Sequence, residues 1–207
     1  MKMKRLIVVA TLAICTIASS SVYAATQSTN HPSGLTLDTT TSRHYVFSET
    51  GTVDGVEISS QYEVWYNDKG YYRFNTISGP YTGDYEIWDG KKLYQYTKLI
   101  NELTIRNISG ISTPVPHLFL SPEINSRVLR DIKANKLKSV SKNEFETPNL
   151  HIKLDDDEQT VMYYSQHQDN GKPTHTIKVD KLDKKIQFDK SLLIVDESKA
   201  SIQYLSE

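Results

Sequence analysis

The groups in this 207-residue chain with reactive potential are six histidines, one cysteine and 25 acidic residues. His31, His44, His117, His151, His167 and His175 include no pair at the spacing by which one helix face holds a metal ion. His167 and His175 flank an Asn170-Gly171 turn and could meet across a hairpin, although two exposed polar residues is the simpler reading. Asp155-Asp156-Asp157-Glu158 has the acid density of a calcium loop without its alternating ligands or central glycine, and reads as a solvated acidic turn. Cys15 lies in an N-terminal segment expected to be removed, which leaves no thiolate nucleophile, disulfide or cysteine metal ligand. No Gly-x-Ser-x-Gly elbow, phosphate-cradling glycine loop or dinucleotide fingerprint occurs. A hydrolase could still use two carboxylates paired in space, but no residue pattern nominates the two. The reading is a protein with no catalytic residues, no metal and no cofactor.

The N-terminal segment has the layout of a secretory signal. Lys2, Lys4 and Arg5 precede an apolar run from position 6 to 17, then small residues and Val22-Tyr23-Ala24, which predicts cleavage before Ala25. The run is shorter than the roughly 20 residues that span a bilayer. Lipid anchoring at Cys15 is disfavoured because Ile14, not a small residue, precedes it. The expectation is an exported protein, periplasmic or extracellular. Its 183 residues would carry 21 Lys and Arg against 25 Asp and Glu, a net charge of −4. That balance argues against nucleic acid, which is held by clustered cations, and against unaided adsorption to an anionic membrane.

Residues 25–42 are rich in Thr and Ser and read as a disordered lead-in. Strands are expected at 44–49, 56–66, 71–75, 85–88, 92–97 and 103–108, separated by Asp54-Gly55, Asn67-Asp68-Lys69-Gly70, Ser78-Gly79-Pro80 and Asp89-Gly90. Thr113-Pro114-Val115-Pro116 ends this meander. Ser121 as a cap, Pro122 in a first turn and apolar Ile124, Val128, Leu129 and Ile132 predict a helix through about Asn135. Further strands are expected at 137–145, 150–154, 161–166, 174–179 and, with a break, 185–195, with turns at 155–158, 169–171 and 180–183. The fold class is mainly β: a curved, mostly antiparallel sheet of about ten strands with one mid-chain helix. Residues 43–207 make one domain.

Three segments together resemble a known group. Tyr62-Glu63-Val64-Trp65-Tyr66, then Lys69-Gly70-Tyr71-Tyr72-Arg73-Phe74, then Glu86-Ile87-Trp88-Asp89-Gly90-Lys91-Lys92-Leu93-Tyr94-Gln95-Tyr96 are similar to the LolA-like superfamily. That group has lipoprotein-carrier, LppX-type lipid-binding and RseB-type regulator branches. Thr176-Ile177-Lys178-Val179, Ile186-Gln187-Phe188-Asp189 and Ser191-Leu192-Leu193-Ile194 resemble its closing strands. The resemblance implies an open half-barrel whose helix-bearing concave face is lined by inward apolar side chains, acting by binding. Asp68 stands where the carrier branch has a functional arginine, and Arg73 where other branches carry theirs.

The clean alternation of the second strand assigns the inward positions. Val56, Ile58, Tyr62, Val64 and Tyr66, joined by phase with Phe74, Ile87 and Leu93, are the candidate ligand-binding residues. The ligand would be a lipid or a lipoprotein acyl chain, bound by a monomer. Each buried methylene contributes about 0.8 kcal/mol, against an association cost on the order of 4–15 kcal/mol. The alternative is an extracytoplasmic interaction or sensor module that binds an envelope or anti-sigma-like protein through the convex face or an unpaired edge strand. Strand 92–97 is the segment whose alteration would test it.

Overall fold

The computed structural model describes residues 42–53, 56–67, 69–108, 122–157, 160–168 and 171–205. The expected signal peptide, lead-in, Asp54-Gly55 turn, Ser121 cap, Asn170, His31 and His117 lie outside these residues. The first strands are β1 (Arg43–Val53), β2 (Val56–Tyr66), β3 (Tyr72–Ser78), β4 (Tyr85–Trp88), β5 (Lys92–Thr97) and β6 (Glu102–Asn107). Helix α1 (Pro122–Lys133) follows, then β7 (Lys138–Ser141), β8 (Glu144–Thr147), β9 (Leu150–Leu154), β10 (Val161–His167), β11 (Pro173–Lys184) and β12 (Ser201–Leu205). They form one open mixed sheet in the order β12-β6-β5-β4-β3-β2-β1-β11-β10-β9-β8-β7. The architecture is an open half-barrel with one helix.

The turns explain why the chain meanders. Asp89 accepts from the backbone N–H of Lys91 at 2.8 Å and of Lys92 at 2.7 Å, and Gly90 has φ +92°, a conformation that disfavours any Cβ. A Cβ added to Gly90 would also run into the Tyr71 ring. Asn67 likewise accepts from Lys69 N–H at 3.0 Å and Tyr71 N–H at 2.9 Å, holding the β2–β3 turn. Asn135 closes α1 in the left-handed region at φ 54°, with the N–H of Lys136 bonded to the Asp131 carbonyl at 3.0 Å. Arg130 and Lys133 in the last turn of α1 suit the negative end of its dipole.

Period-2 alternation gives the sheet an inner and an outer face. Register places Val64 opposite Tyr45 on β1 and Phe74 on β3, Tyr72 opposite Trp88, and Trp88 opposite Leu93. On the other side of β1, Phe47 pairs with Val179 and Glu49 with Ile177, and Ile177 faces Tyr164. These inner residues, with Ile152, Leu154 and Val161, form the core, and Val128 and Leu129 of α1 close over it. Side chains fully removed from water each contribute about 1.5–3 kcal/mol relative to exposure, so this face holds most of the fold's stability.

The C-terminal third departs from expectation. Residues 137–145 form not one strand but the β7–β8 hairpin. The expected turn at 180–183 lies inside β11, where a register shift opposite Val46/Phe47 absorbs the irregularity. Residues 185–195 are not a strand. They start from Lys185 at φ 62° and include a short 3-10 turn, Lys190–Leu193, whose Ser191 N–H is capped by Asp189 at 2.8 Å. The segment returns along the outer face, where the Leu192 carbonyl accepts from Arg73 at 3.2 Å. It then delivers β12, which sequence reading missed, parallel to β6. Strand β5 is therefore interior, between β4 and β6, and is not an edge.

Candidate functional site

Five of the eight candidate residues come together on the inner face. Tyr62, Val64, Tyr66, Phe74 and Leu93 share the helix-bearing side with Tyr45, Phe47, Tyr72 and Trp88. The Tyr62 ring lies 5.1 Å from Phe47 and 5.0 Å from Phe74, centroid to centroid. Val64 is 0% exposed, and Phe47 and Tyr72 equally so. Val56 is 63% exposed at the hairpin end of β2, while Ile58 is half-buried between it and the core. Ile87 belongs to the outer face: it pairs with Arg73 and Tyr94 and lies buried there with Leu103 and Ile105. In β4 both Ile87 and Trp88 are apolar, and strand pairing makes Trp88 the inner one.

Glu86 and Glu49 are carboxylates of the inner face with side-chain partners there. Glu86 on β4 accepts from the Tyr72 hydroxyl and from Gln95 Nε2 at 2.7 Å. Burial pushes the Glu86 carboxyl above the usual carboxylate range, against the opposing pull of Tyr72, Gln95 and Arg106. The Tyr72 phenol is pushed far up by burial first and by Glu86 second. Glu49 on β1 meets His175 Nε2 at 2.6 Å. Three strand spacings separate β1 from β4, about 14 Å at ~4.8 Å each. A hydrolytic carboxylate pair sits at about 5–9.5 Å, so these two do not form one.

The other described histidines, His44, His151 and His167, have structural partners. His44 bridges the sheet on the outer face, with Nδ1 2.8 Å from Asp183 and Nε2 2.9 Å from Glu63, its ring stacked on Trp65. His167 contacts Ser165, which also meets Thr176, and His151 packs edge-on against Tyr163. His167 and His175 do not face each other: His175 is registered with Gln166, and His167 with Pro173. Among the described residues no three His, Asp or Glu side chains converge as metal ligands. Asp155 and Asp157 instead hold Lys184, each at 2.7 Å. An open groove of about 580 Å³ beyond the end of α1 is lined by Lys136, Lys138, Glu146, Pro148, His151 and His167, and none of the eight candidate ligand-binding residues lines it.

Apolar side chains reach water at the opposite margin. Leu99 is 91% exposed and Ile100 50%, both in the short 3-10 turn Lys98–Ile100 between β5 and β6. Beside them runs β12, tied at its head by Ser201 N–H to the Asn101 carbonyl at 2.9 Å, with Ile202 36% and Tyr204 68% exposed. Among the described residues β12 has a strand neighbour on one side only. The period-2 spacing of Ile202 and Tyr204 was the one signal in the sequence that could have found it.

An open half-barrel sheet with a helix packed on its core, and with β12 as an edge strand among the described residues, is the class of protein that fold and site define. No protein-family model matches the chain, and no curated protein matches it. Among solved structures it is similar to an uncharacterised conserved protein from Thermus thermophilus, at TM-score 0.49 and 12% identity over 80% of this chain and 91% of that one. It is similar to a chain of the MucA/MucB complex of Pseudomonas aeruginosa, at TM-score 0.46 and 12% identity, covering 79% of this chain and 58% of the other. A LolA superfamily protein from Nitrosomonas europaea superposes at TM-score 0.37 and 7% identity, over 78% and 93% of the two chains. The matched region thus spans less than two thirds of the MucA/MucB chain.

Proposed function

We propose that this protein is an exported, non-enzymatic binding module of the bacterial envelope that takes an extended segment of an envelope protein along its β12 margin. The observation that carries this reading is the contrast between the two faces on offer. On the inner face Val64, Phe47 and Tyr72 are at 0% exposure and share a buried core with Val128 and Leu129 of α1, whereas Ile202, Tyr204, Leu99 and Ile100 meet water along the β12 margin. An added strand gains main-chain hydrogen bonds from the edge, and exposed alternate side chains supply selectivity.

Affinity capture from solubilised envelope, run in parallel with wild type and Tyr204→Lys, tests this. The expected result is a defined envelope protein retained by wild type and lost with Tyr204→Lys, alongside no uptake of a fluorescent fatty acid. Stoichiometric acyl-chain uptake by wild type, with capture indifferent to Tyr204, would overturn the reading in favour of the lipid carrier.

A further inference from the structure

We propose that, when no other partner is present, the β12 edge is occupied by β12 of a second copy, paired antiparallel about a two-fold axis at Gln203. This rests on the reading of β12 as an open binding edge and names what covers it at rest. The two edges of the sheet differ in a way that matters. Natural edges are blunted by short length, lysines and irregular pairing. Strand β7 shows all three: four residues, Lys138 at its start, and a register shift against β8 between Ser139 and Ser141. Strand β12 shows none of them. Its five residues, Ser201-Ile202-Gln203-Tyr204-Leu205, carry no charge, no proline and no glycine, and pair with β6 without a register break.

The sequence of β12 is complementary to itself. A two-fold axis perpendicular to the sheet preserves its faces and opposes residues whose numbers are symmetric about 203. Ile202 of one copy then lies opposite Tyr204 of the other, twice, both on the outer face. Such β-branched and aromatic pairs stabilise adjacent strands. The two Gln203 amides meet at the axis, where each supplies both a donor and an acceptor. The antiparallel arrangement brings the head of one β12 to the tail of the other. The five residues of the strand carry no charge, so no like charges meet across the strand pair itself. A five-residue strand pair buries less than the roughly 1,200 Å² of stable interfaces, so the dimer is weak and dependent on concentration.

The test is sedimentation velocity on full mature protein, from micromolar to millimolar concentration, with Gln203→Lys and Gln203→Glu. Gln203 is exposed, so both variants should keep the wild-type melt. Wild type should shift from monomer toward dimer as concentration rises. Each variant alone should stay monomeric, because the axis sets like charges face to face, and an equimolar mixture of the two should dimerise again. A wild type that remains monomeric throughout overturns the inference, and so does a Gln203→Lys variant that dimerises as wild type does. Envelope capture is read separately: a dimer without capture sinks the proposed function alone, and capture by a strict monomer sinks this inference alone.

Discussion

Gly90 shows how one residue can govern a hairpin. Its φ of +92° lies where a β-branched side chain is strained, and the Tyr71 ring fills the space a Cβ would need. Gly90→Val should lower stability by about 1–3 kcal/mol, read as a fall in denaturant midpoint at unchanged slope. Glu86 makes a prediction of a different kind. Its carboxyl titrates higher in the folded chain than in the unfolded one because it is buried. Its contribution is then most favourable at low pH, fully present below the unfolded value, and is lost as pH rises through the folded value. Relative to Glu86→Gln, which does not titrate, wild type should gain stability as pH falls from neutrality toward the ordinary carboxylate range. Thermal melts of both proteins across that window check the sign, and a difference that is flat or grows the other way would show that Glu86 is not desolvated in solution.

Helix α1 and strand β12 do opposite jobs at the element scale. Leu129 is 5% exposed and Val128 8%, on the side of α1 that faces the inner core. Leu129→Ala should cost about 2–5 kcal/mol, the range for a truncated core leucine, measured by chemical denaturation. A helix acting as a displaceable cover over a ligand cavity would give a much smaller loss together with enhanced acyl-chain uptake. Strand β12 adds almost no buried side chain, since only Leu205 of its five residues is part-buried. What it contributes is a new edge. The returning segment that delivers it bonds to the sheet through Arg73, which donates to the Leu192 carbonyl and lies with its guanidinium 5.2 Å from the Tyr85 ring centroid. Burial lowers the Arg73 guanidinium's proton affinity, with Tyr85 opposing that shift. The arginine at this position thus anchors the outer-face crossing.

For the whole molecule the decisive variant is Val64→Trp. Val64 sits between Tyr45 and Phe74 with no exposed surface. An indole there overpacks the core and should cost about 1–3 kcal/mol or more. The expected outcome is a lower melting temperature and no fluorescent acyl-chain titration in either protein. An unchanged melt combined with lost acyl binding would instead reveal an open cavity and restore the carrier reading.

Much of this architecture was legible because it is written in neighbouring residues. Asp89-Gly90 and Asn67 through Gly70 specify their turns locally. The alternation from Tyr62 to Tyr66 specifies a strand, and Val128, Leu129 and Ile132 specify a helix, because backbone preference and side-chain period act over a few residues. Those features determined an antiparallel meander with a mid-chain helix and grouped Tyr62, Val64, Tyr66, Phe74 and Leu93 on one face. Contacts between distant residues were decided by tertiary structure. Ile87 turned outward because β4 is only four residues long and apolar on both sides, so pairing with β3 set its phase. His44 found Glu63 and Asp183, 19 and 139 residues away. The parallel docking of β12 against β6 depended on a crossing with no regular period of its own. Local chemistry chose the elements. Which residues share a face and which strand lies at the sheet's margin followed from strand register and order, and these depend on contacts between residues far apart in the chain.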